Sequence, residues 1–161
     1  MSDRSEVAKA VGHIPSGLFI VCAKDPESSR IDGFLASWVQ QISFDPLLVG
    51  LCLKPGRPAY DLITKGTVFS INVVGDHDAS YLKHFWKGYD PNTDPFSEIE
   101  HISIDNGAVV ISRAKSTMIC KIKESHSPGD HQLVVAEVIH SIVGDEKALP
   151  KVHIRKSGLD Y

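Results

Sequence analysis

Gly33-Phe34-Leu35-Ala36-Ser37-Trp38-Val39-Gln40-Gln41-Ile42-Ser43-Phe44-Asp45-Pro46 is the stretch on which the fold turns. It reads as a strand that becomes a loop and then hands over to a second strand, Leu47-Leu48-Val49-Gly50-Leu51-Cys52-Leu53. Its composition is odd for a plain core strand. Small Ala36 and Ser37 alternate with bulky neighbours, and Ser37, Gln40, Gln41 and Ser43 stand where burial asks for Val or Ile. Small side chains let a ligand approach the main chain, and hydroxyls offer donors without bulk. Pattern alone equally allows a half-exposed strand whose polar residues face water.

Upstream, residues 3 to 14 read as a short helix that Asp3 can cap, with Val7, Ala10, Val11 and Ile14 on one face. Gly17 to Ala23 is a continuous apolar run, as for a strand buried on both sides, and 25–29 is a polar hairpin loop. Ile31 to Gln40 returns as the next strand, and Phe44-Asp45-Pro46 breaks it, because the residue before proline avoids the helical region. Downstream, Lys54-Pro55-Gly56-Arg57-Pro58 is a compact turn carrying two cations, followed by a helical turn or two from Ala59 to Lys65. Val68 to Val74 alternates as a strand does. Asp78 or Ser80 can cap a short helix over Tyr81 to Trp86, with Leu82 and Phe85 packed, and 87–98 is rich in Gly, Pro, Asn and Asp, as suits a mobile lid. Two short strands flank the Asn106-Gly107 hairpin turn, and Thr117 to Glu124 and Leu133 to Ile142 are further strands. The tail from His153 shows no clear element. Six or seven strands with turns every 8–12 residues point to a closed, mainly β, antiparallel barrel with short peripheral helices.

The 161 residues fit a single domain, 1–161, able to bury a core without metals or disulfides. Hydrophobic content of 42% and charged content of 23% are those of a soluble globular chain. No apolar run has the length of a bilayer span and no signal-peptide pattern opens the sequence, so the expectation is a cytoplasmic protein with no membrane partner. A net charge of −3 argues against nonspecific nucleic-acid binding. Cys22, Cys52 and Cys120 each lie in an apolar strand-like segment and read as reduced core thiols.

Several signatures are missing. There is no Gly-x-Gly-x-x-Gly, no Lys-Ser/Thr after the P-loop-like spacing of Gly12 and Gly17, no Gly-x-Ser-x-Gly and no His-Glu-x-x-His. Ser112-Arg113-Ala114-Lys115 fits Ser-x-x-Lys, a pattern short enough to arise by chance. The pairs His77/His84 and His126/His131 lack helical ligand spacing, so no metal site is expected; His131 stands apart because Pro128-Gly129-Asp130 aims it from the start of a strand. Lys54, Gly56 and Arg57 after a strand, with Arg155 and Lys156 in the tail, supply the cations and exposed N–H groups that a phosphate monoester needs, although such clusters also occur as plain solvated surface.

Ile14 to Val21, Leu35 to Pro46, Phe69 to Val73, Leu82 to Phe85, Gly129-Asp130-His131 and Arg155 to Gly158, in this order, resemble the flavin reductase-like, FMN-binding split-barrel family. Its members include the C-terminal flavin reductase modules of cyanobacterial A-type flavodiiron proteins. The resemblance implies a six-stranded Greek-key split barrel, a homodimer with FMN near the subunit interface, and electron transfer from NADH or NADPH to flavin, or through it to an iron protein. On that likeness, the isoalloxazine ring runs beside Leu35, Ala36, Ser37, Trp38, Gln40, Gln41 and Ser43, with main-chain N–H groups and the Ser37 hydroxyl as donors. Lys54, Gly56 and Arg57 match the phosphate position, and His131 the flavin or nicotinamide edge. Arg155, Lys156 and Ser157 match a tail that closes over the cofactor or the partner subunit; Asn72 is read as structural. The sequence carries no flavodiiron or flavodoxin domain of its own; whether it is an excerpt or a free-standing protein, its acceptor, free flavin or a redox protein, stays open.

The implied activity is that of an NAD(P)H:flavin oxidoreductase, in which the cofactors carry the hydride chemistry and the protein aligns them. Two other classes remain. One is a flavoredoxin-like FMN electron-transfer protein reduced by a protein donor; the other is a barrel that binds a different ligand, such as haem, or serves only to dimerise.

Overall fold

The computed structural model describes residues 3–77, 79–86, 92–104 and 106–159. Its centre is a seven-stranded antiparallel sheet built from β2 (Phe19–Lys24), β3 (Ile31–Ala36), β4 (Val39–Ser43), β5 (Leu48–Leu53), β6 (Phe69–Val73), β9 (Ser116–His126) and β10 (Gln132–Val143). The strands lie in the order β3-β2-β6-β9-β10-β5-β4. The two marginal strands, β3 and β4, are consecutive in the chain and joined only through Ser37 and Trp38. A sheet whose opposite margins are linked by two residues has to curl on itself. The result is a split barrel, with seven strands in the main sheet where the family resemblance implied six.

One expected strand, Ile31 to Gln40, is therefore two. Hydrophobic periodicity runs straight across Ser37-Trp38, and only closure of the barrel interrupts pairing there. The Asp45–Pro46 peptide is cis, in the turn that reverses the chain between β4 and β5. A register shift between Gln41 and Ser43 marks a bulge at Ile42 just before it.

The barrel interior holds Val21, Ala23, Phe34, Ala36, Val49, Leu51, Leu53, Phe69, Ile71, Cys120, Val134 and Ala136. Alternate residues of β2, Ile20 and Cys22, point the other way into a second apolar layer with Leu82, Phe85, Phe96, Ile99, Val109 and Ile111. Strand β2 is thus buried on both faces, as its unbroken apolar run predicts. The second layer is capped by a hairpin of β7 (His101–Ser103) and β8 (Val109–Ile111), whose turn is fixed by Asn106 accepting from the Ala108 N–H at 3.1 Å.

Polar side chains on β6 dock this hairpin. Asn72, fully buried, donates to Ile20 O (3.1 Å), Val109 O (3.2 Å) and Ser70 Oγ (3.1 Å). It accepts from Ile111 N (3.0 Å) and from Thr117 Oγ1 (2.8 Å). The outer edge of β8 thereby finds a side-chain partner in place of another strand, which answers the demand that buried backbone groups be paired. Asn72 is structural, as expected.

Three peripheral expectations are revised. Helix α1 (Arg4–Gly12) forms, but Asp3 Oδ2 accepts from Ser5 Oγ (2.6 Å) and caps no N–H. The helix buries Ala8 and Gly12, while Val7 (50% exposed) and Ile14 (62%) face outward. The cause is the tail, which crosses α1 on its small-residue side: a Cβ on Gly12 would meet the Ser157 backbone at 2.9 Å. The tail is also not irregular. Its β11 (Val152–His153) pairs with β1 (Ser16–Gly17), and Arg155 N donates to Gly12 O at 3.1 Å. Finally, the lid expected over 87–98 is anchored where it is described: Phe96 and Ile99 are buried, with Phe96 packed on Phe85 and over Gly33. Residues 87–91 of that segment lie outside the described residues, as does Asp78, one of the two expected caps; the other, Ser80, lies inside the 3-10 turn Ser80–Leu82, whose N-cap position is Ala79 with no side-chain cap, and that turn leads into α3 (Lys83–Trp86).

Candidate flavin site

The corner between β3 and β4 is where the candidate side chains meet. The Trp38 carbonyl accepts from Cys52 N (3.0 Å), so the corner is stitched to β5. Cys52 faces Leu133 and Leu53 faces Gln132 across β5 and β10. That register brings Lys54, just past β5, alongside His131, just ahead of β10. The His131 imidazole lies against the Trp38 indole with ring centroids 4.8 Å apart at a 50° tilt. From the tail, the Arg155 guanidinium sits 5.0 Å from the centroid of the same indole, within the range of a cation–π contact. Residues 38, 54, 131 and 155, far apart in the chain, thus converge on one end of the barrel.

His131 Nδ1 lies 2.9 Å from Asp130 Oδ1, and its side chain is 11% exposed. The hydrogen bond from His131, helped by the charges of His131 and Lys54, holds the Asp130 carboxyl below its ordinary value. Ser37 is 9% exposed, and its hydroxyl has no hydrogen-bond partner among the described residues. A small, nearly buried, unengaged hydroxyl is what a bound heteroaromatic rim needs. Among the described residues strand β4 pairs only with β5, so on its other side main-chain groups are open to a ligand.

The remaining predicted residues divide. Leu35 packs on the second apolar layer, and Ala36 belongs to the barrel core, so neither displays its side chain. Gln40 and Gln41 are exposed on β4, with Gln41 Nε2 donating to Ser43 O at 3.2 Å. Gly56 has a φ of 81° and nothing within 4 Å of where a Cβ would stand; the turn it makes, closed by Arg57 N donating to Lys54 O (3.3 Å), is open to an approaching group. Lys156 is exposed, while Ser157 accepts from Leu159 N (3.1 Å) and lies against α1. Sequence reasoning did not single out Tyr60 or Gln132. Tyr60 donates to Gln132 Oε1 at 2.5 Å, and Gln132 Nε2 donates to Ser125 Oγ at 2.7 Å. Only Gln132 carried a signal, as a polar residue between His131 and an apolar strand.

The thiols are unsuited to chemistry at this site. Burial pushes Cys22 far up and Cys120 up to about 12, and also raises half-buried Cys52. Elsewhere His84 Nε2 lies 3.8 Å from Glu98 and His126 Nε2 3.7 Å from Glu124. Among the described residues no group of three His, Cys, Asp or Glu side chains could hold a metal ion, and no helix is long and apolar enough to cross a membrane.

A split barrel with polar and cationic groups gathered at its open corner is a fold used by flavin-dependent oxidoreductases. Residues 11–157 match the flavin reductase like domain, and the chain belongs to that family. It is 35% identical over 159 residues to a putative diflavin flavoprotein A 6 of Nostoc sp. PCC 7120, covering 98% of this chain and 27% of that protein. The chain thus spans about a quarter of the length of the curated relatives it matches. Among solved structures it superposes on the NADH:FAD oxidoreductase SgcE6 of Streptomyces globisporus with a TM-score of 0.82 at 22% identity, covering 98% of this chain and 91% of that one. An FMN-binding protein from Thermus thermophilus gives 0.71 at 24% identity, covering 86% and 78%.

Proposed function

We propose that the chain is an FMN-binding, NAD(P)H-dependent flavin reductase, acting as a cytoplasmic homodimer with free flavin or a redox protein as its acceptor. The observation that carries this reading is the convergence of Ser37, Trp38, Lys54, His131 and Arg155 at the β3–β4 corner. Relatives described as diflavin flavoproteins and an NADH:FAD oxidoreductase support the reaction class. FMN, which ends in a phosphate monoester, suits a single compact turn with two cations.

FMN, if bound here, would supply the hydride-accepting and electron-passing chemistry, and the residues of the corner would hold and orient it. The Ser37 hydroxyl and the outward main-chain N–H groups of β4 would donate to the polar rim of the ring and favour negative charge there. Lys54, Arg57 and the N–H groups around Gly56 would hold the phosphate. His131, oriented by Asp130 on one side and Trp38 on the other, positions the nicotinamide. Arg155 lends a fixed positive charge beside the ring-binding corner, with Lys156 and Ser157 continuing the strap that holds it. Ile42, Phe44 (90%) and Leu47, on and just after β4, and Ile139 on β10 are exposed; we assign the surface that carries the first three to the second subunit.

Anaerobic mixing of FMN-loaded protein with NADH and with NADPH tests the reading. Bleaching of the visible flavin band is expected with at least one of them. A yellow protein that neither nucleotide reduces, but a protein donor does, would replace this reading with an electron-transfer flavoprotein. A colourless protein that ignores added FMN would remove flavin chemistry altogether.

A further inference from the structure

We propose that Tyr60 and Gln132 are positioning residues for His131, joined by a hydrogen-bonded relay that locks the start of β10; the role of His131 rests on the reductase reading above. Residues 125–130 are exposed. Nothing lies within 4 Å of a Cβ built on Gly129, so the turn that presents His131 has little packing of its own. Besides the contacts of His131 with Asp130 and Trp38, the next residue ties it to the barrel. Gln132 receives the Tyr60 hydroxyl (2.5 Å) from α2 (Tyr60–Thr64) and donates to Ser125 Oγ (2.7 Å) on β9. The relay therefore spans three elements at the level where β10 begins.

Tyr60 serves the other end of the site too. Its N–H donates to Arg57 O (3.1 Å), which closes the Lys54–Arg57 turn onto α2, while its ring packs against the barrel core. One residue thus sets both the cationic turn and, through Gln132, the imidazole. An imidazole that swings away from Trp38 no longer holds a nicotinamide at reacting distance, and small misplacements cost rate steeply.

The test has two arms. In the flavin-free protein, nuclear magnetic resonance reads the ring-current shift that the Trp38 indole imposes on the His131 ring protons. Y60F, which keeps the packed ring, and S125A, at the exposed end of the relay, are expected to move those shifts toward random-coil values. His101, bonded instead to Ile99 O, is expected to keep its shifts. In the second arm, Y60F slows flavin reduction at saturating nucleotide by about fivefold to tenfold, with FMN affinity unchanged within about twofold. In an H131A background Y60F then adds no further loss, since a positioning residue has nothing left to position. Unmoved His131 shifts in both variants would overturn the proposal, as would an equal rate loss from Y60F with and without His131. The first arm needs neither flavin nor nucleotide, so it judges the relay even if the wild-type protein proves not to be reduced by NAD(P)H.

Discussion

Replacing Asn72 with Leu isolates the device that fastens the β7–β8 hairpin to the barrel. Leucine has nearly the same branched shape, so the site stays filled and water is kept out. The Ile111 N–H and the Thr117 hydroxyl, both given to Asn72 Oδ1, are left without their acceptor. Val109 O keeps its bond from Ser70 Oγ and is spared. A stranded buried polar group costs about 1–3 kcal/mol, so two of them cost about 2–6 kcal/mol. Total stabilities of domains are about 5–15 kcal/mol, and the loss is a large part of that. Urea unfolding followed by far-ultraviolet circular dichroism measures it, and N72L is expected to lower the midpoint with an unchanged slope. Adding T117V to N72L removes one of the two stranded donors and is expected to recover about 1 kcal/mol. Because Asn72 is structural, folded N72L keeps its FMN affinity. A loss below about 1 kcal/mol, no recovery on adding T117V, or an FMN affinity lost while the fold is kept would each refute the reasoning.

Other outcomes follow from the same geometry. If Lys54 holds the phosphate as proposed, K54A is expected to weaken FMN about tenfold and leave riboflavin unaffected, because one charge-assisted contact would be removed; titration calorimetry with both flavins separates the two. Asp130 titrates below its ordinary 3.8 because His131 donates to it and Lys54 lies near. Carbon-13 titration is expected to find its midpoint below that value in the wild type and moving up toward it in H131A. Since the folded-state value is the lower one, whatever this pair adds to stability is present above pH 3.8 and fades as the pH falls through the folded midpoint. At pH 8, Cys22 and Cys120 are expected to resist a thiol reagent in the folded protein and Cys52 to react slowly, with all three reacting in urea, since burial raises each thiol and holds it protonated.

Much of the fold was legible because it is written locally. The apolar run at Gly17–Ala23, the Asn106-Gly107 turn and the alternation along β9 each carry their structure in neighbouring residues. The division of Ile31–Gln40 at Ser37-Trp38 was not, because it is imposed by closure of strands that are distant in sequence. The outward face of α1 was misjudged for a related reason: Gly12 is reserved for the tail, and no helical period reveals what crosses a helix. Within the candidate site, Ser37, Lys54 and His131 stood out by type and context, while Trp38 came in only with the family resemblance. The relay through Tyr60 and Gln132 did not, since a tyrosine after a turn and a glutamine at a strand start are ordinary until register sets them side by side.

The junction at Ser37 and Trp38 also bears on how the chain avoids mis-association. A sheet with free margins can take on a stranger's strand at either side, each margin acting by itself. Here the two margins are successive segments of one backbone, so peeling one away drags its counterpart and disturbs the corner between them. Ser37 and Trp38 are thus the clasp that keeps the sheet's loose ends from recruiting neighbours.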